Sequence, residues 1–421
     1  MKLLEKNCYV LLLLAAMLMA AVRVHAAESD LAQKLFDEAM EKRELGDVFA
    51  AIEIFEALLS ARPGLNRARL ELAVAYHQAS RYQAAMRELQ AVLDDPETPE
   101  NVRLSILAYL GQVAKDEKKP EGEHHLSYYM KAGLLHNSNL NASQAIGTGL
   151  NPAAPVDIAS TGSDLVLNAA HRYSKKRLLN LAGNTTAFEW QSQATFSSNV
   201  YSNNSDFNLH VATLSTGPVF ITPGRWRVSA LLQADQIVLG GSSLATFAAF
   251  KPAIRFDLGR YRSIMLESSY TTHRYSDIAN AGYDGSELLF GIGYAMYLPA
   301  AATGFEFGLR DSSNDASDDA FSYDFAELHA AAFTSLGAQS SLYARLYSRD
   351  YDYVALDPGV GVIRSETENY FALGYNHDHQ QGWLRGWTLN IEYSSVDSDS
   401  NADSLDYQRR LISVNWSRHF Q

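Results

Sequence analysis

The fold is decided by the stretch Arg409-Arg410-Leu411-Ile412-Ser413-Val414-Asn415-Trp416-Ser417-Arg418-His419-Phe420-Gln421. Four apolar side chains share one parity of this stretch: Ile412, Val414, Trp416 and Phe420. Polar side chains occupy most of the alternate positions, so a β-strand here would be apolar on one face and polar on the other. A two-faced strand with an aromatic residue near its end is expected at the closing seam of a membrane β-barrel. We therefore predict that these four residues belong to the barrel-closing strand.

Thirteen further segments precede this one and have a similar pattern. The fourteen predicted strands are 126–138, 162–173, 184–199, 205–221, 225–239, 244–257, 260–275, 284–298, 303–312, 321–335, 338–351, 364–378, 385–397 and 406–420. An even number of antiparallel strands is typical of closed bacterial barrels. The predicted fold is therefore a 14-stranded antiparallel transmembrane β-barrel over 126–421.

The strand at 338–351 predicts which side chains face the lumen. Leu342, Ala344 and Leu346 alternate there with four polar or charged residues: Tyr343, Arg345, Tyr347 and Arg349. An arginine facing lipid at mid-bilayer costs about 2–4 kcal/mol, so the second set is expected to point inward. We interpret this row as polar barrel lining rather than as a ligand site.

The lengths of the predicted connections indicate the orientation of the barrel. Short turns are predicted at 222–224, 259–260 and 336–337, and longer loops at 139–161, 276–283, 311–320, 352–363 and 398–405. Short turns of bacterial barrels lie in the periplasm and long loops lie outside the cell. With fourteen strands, the segment before the barrel and the C-terminus are both expected on the periplasmic side.

Composition agrees with a barrel and excludes several other classes of protein. The 421 residues are 47% hydrophobic and 20% charged, and the mean hydropathy is −0.18. Barrel strands are half polar, so low hydropathy does not argue against them, and the 23 tyrosines and 18 phenylalanines suit interfacial girdles. The formal net charge of −13 argues against nucleic acid as a partner.

The first residues predict a cleaved signal peptide over 1–26. Lys2 and Lys6 precede a short apolar run, and cleavage is expected between Ala26 and Ala27. Cys8, the single cysteine, lies inside the removed piece. The mature chain would then lack disulfides, thiol catalysis and thiolate metal sites.

A helical domain is predicted over 28–119, followed by a linker at 120–125. Two stretches resemble each other at an offset of 34 residues, with Ala51, Phe55 and Leu58 recurring as Ala85, Leu89 and Val92. This period is typical of tetratricopeptide (TPR) repeats, which are pairs of antiparallel helices. A third helical stretch, from Pro99 to Lys115, is expected to cap the open end of the array.

The first helix of the second repeat carries the candidate residues for binding a client segment. These candidates are Asn66, Arg67, Arg69, Glu71 and His77. Concave grooves of repeat domains hold extended peptides. The alternative is that the domain is a plain helical spacer.

No catalytic, cofactor or metal site is predicted. His377-Asp378-His379 would need a third ligand that the sequence does not supply, and two acidic segments, 311–319 and 397–403, lack the spacing of a calcium loop. The chain also contains no Gly-x-Ser-x-Gly nucleophile motif.

Three motifs resemble the surface lipoprotein assembly modulator (Slam) family, the outer-membrane component of type XI secretion. They are Arg67-Ala68-Arg69-Leu70-Glu71-Leu72-Ala73 in the repeats, Pro99-Glu100-Asn101-Val102-Arg103 before the cap helix, and Ser138-Asn139-Leu140-Asn141 after the first strand. The chain departs from the family at Asn137, where an acidic residue is usual, and in having only two repeats. The resemblance implies an outer-membrane translocon with a periplasmic TPR domain.

The partner implied by the resemblance is a client lipoprotein or a secreted haem- or metal-acquisition protein. A periplasmic chaperone is a further candidate partner. The resemblance implies no catalytic residues. Two other functions remain open from the residues alone. The tyrosine and arginine row would suit a passive porin, and repeats before a barrel also occur in polysaccharide export pores.

Overall fold

The computed structural model describes residues 31–96, 98–118, 122–140, 158–181 and 183–420. They form two compact units. The first contains the helices together with Lys175–Ala187, and the second contains the long strands. The expected signal peptide, with Ala26 and Ala27, lies outside the described residues.

The described residues of the first unit form five helices. They are α1 (31–44), α2 (Val48–Ala61), α3 (Asn66–Gln78), α4 (Tyr82–Leu93) and α5 (Glu100–Glu117). The predicted helical repeats are confirmed. Among the described residues, no helix is both long and apolar enough to cross a bilayer.

The residues that revealed the repeat also form the core of the helical unit. Ala51 and Ala85 are fully buried, which lets neighbouring helices approach closely. Phe55 and Leu89 fill the space beside them, with exposed fractions of 0% and 2%. Burial of side chains of this size contributes about 1.5–3 kcal/mol each to the free energy of folding. The helical unit is therefore stabilised by an apolar core.

The connection between two barrel strands also belongs to the helical unit. It contains β3 (Leu179–Leu181), which pairs with the first residues of the next strand and was not predicted. Leu178 packs against the helical core. The amide of Phe49 donates to Thr185 Oγ1 at 3.3 Å, and Ser80 Oγ donates to the carbonyl of Lys176 at 2.9 Å.

Fourteen long strands form one closed antiparallel sheet. They are β1 (Gly122–Asn137), β2 (Ser160–Lys175), β4 (Asn184–Tyr201), β5 (Leu209–Thr222), β6 (Trp226–Leu239), β7 (Ser242–Asp257), β8 (Arg262–Tyr275), β9 (Gly285–Leu298), β10 (Thr303–Ala316), β11 (Tyr323–Ser335), β12 (Ser340–Leu356), β13 (Ile363–Asp378), β14 (Thr388–Ser400) and β15 (Tyr407–Phe420). Neighbours in the chain are neighbours in the sheet, β2 pairs with β4, and β1 pairs with β15. The predicted barrel is confirmed.

The polar motif after β1 lengthens the closing seam. The paired residues run from Tyr128 opposite Phe420 to Asn137 opposite Leu411. Beyond them, the amide of Arg410 donates to Ser138 Oγ at 2.9 Å, and Asn139 Nδ2 donates to the carbonyl of Gln408 at 3.2 Å. Side chains therefore continue the hydrogen bonding of β1 to β15 past the end of β1.

Several predicted strand ends were wrong. β10 continues to Ala316, β12 to Leu356 and β14 to Ser400, so much of 311–320, 352–363 and 398–405 is strand rather than loop. The acidic segments look like loops in sequence, but backbone groups pair with the adjacent strand whatever side chains they carry. The fourth long strand, β5, begins at Leu209 instead of 205, because Ser205–Phe207 forms a short 3₁₀ turn.

The barrel presents apolar residues outward and buries polar ones. Phe290, Ile292 and Leu309 are exposed by 56%, 50% and 57% on the exterior. Glu327 and Asn415, by contrast, are only 2% and 1% exposed. This distribution suits a wall with hydrocarbon on one side. Pairing of neighbouring strands around the closed sheet also leaves no free strand edge that would face lipid.

Candidate functional site in the barrel lumen

Contacts between strands that are not neighbours identify the inner face. Arg310 of β10 donates from Nε to Glu267 of β8 at 2.7 Å, and Tyr343 of β12 reaches Glu392 of β14. Strands two apart in a sheet are separated by about 9.5 Å. Side chains converge on the concave face of a curved sheet and diverge on the convex face. These residues therefore lie on the lumen side of the wall.

A chain of alternating charges crosses this inner face. Arg310 Nη1 donates to Glu327 Oε1 at 2.9 Å, and Arg349 Nε donates to Glu327 Oε2 at 3.0 Å. Only 1% of the Glu327 side chain is exposed. A buried carboxylate without partners would be strongly destabilising, and here two guanidinium groups compensate it. The chain Glu267–Arg310–Glu327–Arg349 thus connects β8 with β12.

Two further carboxylates organise the tyrosines of the same wall. Tyr347 and Tyr407 donate to the two oxygens of Glu368, each at 2.7 Å. Arg345 donates from Nη2 to Glu392 at 2.6 Å. Because these bonds cross between strands, they hold the wall together laterally as well as making it polar.

All four predicted lumen residues lie on the inner face. Tyr343, Arg345, Tyr347 and Arg349 each contact a carboxylate of another strand: Glu392, Glu392, Glu368 and Glu327. Sequence reasoning missed Glu327 and Glu368. The signal was available for Glu327, which is the charged residue beside Leu328, an outward residue that is 57% exposed.

Glycines let two aromatic rings lie against the inner wall. Gly374 faces Tyr343 across the pairing of β12 with β13, and Gly304 faces Phe333 across β10 and β11. A Cβ atom at either glycine would overlap the opposing ring. A flat ring takes little of the lumen, so each glycine preserves free space beside the wall.

A cavity of about 970 Å³ lies beside these rings, near the short connections of β5–β6, β7–β8 and β11–β12. Its polar and aromatic lining includes Arg255, Asp257, Arg260, Tyr261, Arg262, Tyr297, Glu306, Phe333, Tyr343 and Arg345. Tyr297 and Phe333 are stacked, with ring centroids 6.1 Å apart and an interplanar angle of 13°. The cavity therefore combines ring faces with guanidinium groups.

The predicted closing residues lie on the outer face of β15. Ile412, Trp416 and Phe420 are exposed by 49%, 37% and 39%, and Val414 shares their parity. Arg418 interrupts the row, and its guanidinium lies over the ring of Phe420 at 5.2 Å. A ring face accommodates the cation at the end of the apolar row.

The five predicted groove residues all contact other parts of the helical unit. Asn66 bonds to Asp95, Arg67 lies over the ring of Phe36, Arg69 pairs with Glu88, Glu71 pairs with Arg43, and His77 bonds to Tyr109 and Asp116. These contacts join α3 to α1, α4 and α5. A role in client binding stays a prediction, and a client would compete with these bonds.

Two tyrosines of the helical unit are held in their neutral form. Burial raises the pKa of Tyr76 far above its ordinary range, and its hydrogen bond to Glu56 raises it further. Burial likewise raises the pKa of Tyr109, against the opposing effect of Arg43. Both hydroxyl groups therefore remain donors at neutral pH.

The histidines near the end of β13 do not assemble a larger ligand set. His377 Nδ1 lies 3.0 Å from Ser340 Oγ, and its ring meets that of His379 edge-on at 5.1 Å. Within the described ranges, no three His, Cys, Asp or Glu side chains come together as candidate metal ligands.

Comparison with known proteins identifies the repeat. A family model of the tetratricopeptide repeat matches residues 43–104. No curated protein sequence matches the chain. The anion-selective porin from Comamonas acidovorans is 10% identical with a TM-score of 0.41, over 71% of this chain and 100% of that one.

Other similar structures include a second outer-membrane protein and a secretin. The outer membrane protein opdK from Pseudomonas aeruginosa has 11% identity and a TM-score of 0.36, over 71% and 99% of the two chains. A bacterial polysaccharide outer membrane secretin has 9% identity and a TM-score of 0.37, over 72% and 100%. Likenesses this distant do not assign a function. The chain is a unit of TPR-type helical repeats followed by a closed 14-stranded antiparallel β-barrel.

Proposed function

We propose that this protein is an outer-membrane translocon that delivers client lipoproteins, or soluble haem- or metal-acquisition proteins, to the cell surface or the medium. The observation that carries the proposal is a TPR-type unit that leads directly into a closed barrel in one chain. Repeat domains offer extended surfaces for binding polypeptides. A passive channel has no need of such a unit.

Chain connectivity supports a periplasmic helical unit. The first residue of β1 and the last residue of β15 share an edge of the sheet with the connections 223–225, 258–261 and 336–339. Short connections of bacterial barrels face the periplasm. A helical unit joined to β1 at this edge would meet a client that emerges from the inner membrane, either directly or from a periplasmic chaperone.

The resemblance to the Slam family also supports translocation. The motif after β1, Ser138-Asn139, bonds to the closing strand through Arg410 and Gln408. The mechanism needs no covalent chemistry. Folding of the client outside the cell would remove it from the transport equilibrium and give net export without nucleotide hydrolysis.

Deletion of 31–117 tests the proposal in a Gram-negative host that co-expresses candidate client proteins. We expect surface display of the cognate client, measured by protease shaving of intact cells, to fall at least tenfold. Heat-modifiable migration of the barrel on gels must stay unchanged, so that loss of display is not loss of barrel. Undiminished display of every candidate by the deletion variant would contradict the proposal.

A passive porin or a polysaccharide export pore is the second candidate function. The polar inner wall and its 970 Å³ cavity favour it, because both suit small hydrophilic solutes. Single-channel recording in planar bilayers separates the two functions. A large, steady conductance of the full chain would favour the pore, and little current would favour the translocon.

A further inference from the structure

The lumen cavity has a lining that is positively charged within an acidic protein. Four arginines and two carboxylates line it: Arg255, Arg260, Arg262, Arg345, Asp257 and Glu306. A third carboxylate, Glu392, pairs with Arg345, which leaves four cations against three anions. The whole chain has a formal net charge of −13. A site with this local excess of cations attracts anions in spite of the charge of the protein as a whole.

Two of these arginines remain accessible although each has a carboxylate partner. The Arg255 side chain is 55% exposed while Nε pairs with Asp257 at 3.2 Å. The Arg345 side chain is 50% exposed while Nη2 pairs with Glu392 at 2.6 Å. A single carboxylate orients each guanidinium group and leaves its other N–H groups free to bind a ligand. Such groups bind carboxylates and phosphates through paired hydrogen bonds.

Aromatic rings line the same cavity, on strands that lie between β7 of Arg255 and β12 of Arg345 in the sheet order. Phe333 is 50% exposed, is stacked with Tyr297, and lies against the wall because Gly304 has no side chain. Tyr343 is held flat over Gly374 by its hydroxyl contact with Glu392. Aromatic faces fixed in this way stack with planar rings and with the C–H faces of sugars.

We propose that this cavity binds a ring-shaped anion, with its ring against Phe333 and Tyr297 and its negative group between Arg255 and Arg345. The chemistry is shared by sugar acids and aromatic acids. The site lies wholly within the barrel unit and does not rest on the translocation proposal. It assigns the lumen a ligand-binding function beyond passage of a client.

Isothermal titration calorimetry of the full chain in detergent micelles tests the proposal without requiring an open pore. The probes are sodium glucuronate and sodium benzoate, with glucose and benzyl alcohol as uncharged counterparts and sodium gluconate as an acyclic anion. We expect at least one ring anion to bind at least tenfold more tightly than its uncharged counterpart and than gluconate. Binding of glucuronate alone identifies a sugar-acid site, and binding of benzoate alone identifies an aromatic-acid site.

The variants separate the cavity from the general charge of the lumen. Arg345→Gln and Arg255→Gln should each weaken binding of the ring anion about tenfold, the usual effect of losing a charged hydrogen bond. Phe333→Leu should weaken the binding of ring anions and leave the affinity for gluconate unchanged. Arg172→Gln is the matched control, because that arginine is also 50% exposed beside a carboxylate, on β2 outside the cavity. It should change affinity less than twofold.

Three results would overturn the proposal. They are failure of both ring anions to bind, gluconate binding as tightly as glucuronate, or an Arg172→Gln effect as large as that of Arg345→Gln. Because Arg255 and Arg345 lie on different strands, misfolding of one variant leaves the other as a test. Heat-modifiable migration reports the folded fraction of each.

Discussion

The helical unit and the barrel differ in the polarity of the side chains that they bury and expose. In the helical unit the fully buried residues include Ala51 and Phe55, as in any water-soluble protein. In the barrel the buried residues include the polar Glu327 and Asn415 beside the apolar Val219, whereas Ile292 is half exposed. The difference shows that one chain is built for two solvents. Burial must therefore be judged against the medium that each face contacts, water for the helices and hydrocarbon for the barrel exterior.

The largest expected effect compares loss of a phenylalanine from each unit. Phe55→Ala should destabilise the helical unit by about 3–5 kcal/mol, because the lost side chain leaves a cavity in a packed core. Phe290→Ala on the barrel exterior should cost about half as much, since acyl chains fill the vacated space and only the transfer free energy is lost. Urea unfolding of the full chain in micelles, followed by circular dichroism, measures the first. Refolding into lipid vesicles measures the second. If Phe290→Ala lowered the free energy of unfolding as much as Phe55→Ala or more, the proposed difference between the two units would be contradicted.

The next effect reverses the direction of the comparison. Ile292→Arg near the middle of β9 should destabilise the barrel by about 2–4 kcal/mol, because the guanidinium would face hydrocarbon. Leu104→Arg on α5, where the side chain is 61% exposed, should stay within about 0.5 kcal/mol. Refolding into lipid vesicles measures the barrel variant, and urea unfolding measures the helical variant. Tolerance of arginine at Ile292 would mean that this face does not contact lipid.

The smallest effect concerns Tyr76 and appears mainly in alkaline solution. Its folded pKa is raised, so its contribution to stability is complete below the unfolded value of about 10 and is lost as pH rises above it. Tyr76→Phe should cost about 1 kcal/mol at pH 7 and reduce the fall in helical stability above pH 10. Urea midpoints of the helical transition between pH 7 and pH 11 measure both. Tyr393→Phe on the barrel exterior is the control and should leave them unchanged. An identical pH dependence in Tyr76→Phe and wild type would contradict the assignment.

Much of the fold could be predicted because its signals are local. Alternation along a strand has a period of two, so the inward position of Arg345 and Arg349 followed from their neighbours Ala344 and Leu346. The repeat was visible because Phe55 and Leu89 occupy equivalent positions one period apart. Strand ends were less predictable, because pairing with a neighbouring strand carries β10 through an acidic segment to Ala316.

Sequence alone determined the two-part order of this protein, the number of its long strands and the face on which each row of side chains lies. These properties depend on spacing along the chain. Only the tertiary structure decided that Glu267 meets Arg310, that Gly304 makes room for Phe333, and that two distant arginines border one cavity. Such contacts arise when a sheet closes and its concave face brings together side chains from strands that are not neighbours, and no local pattern records that curvature.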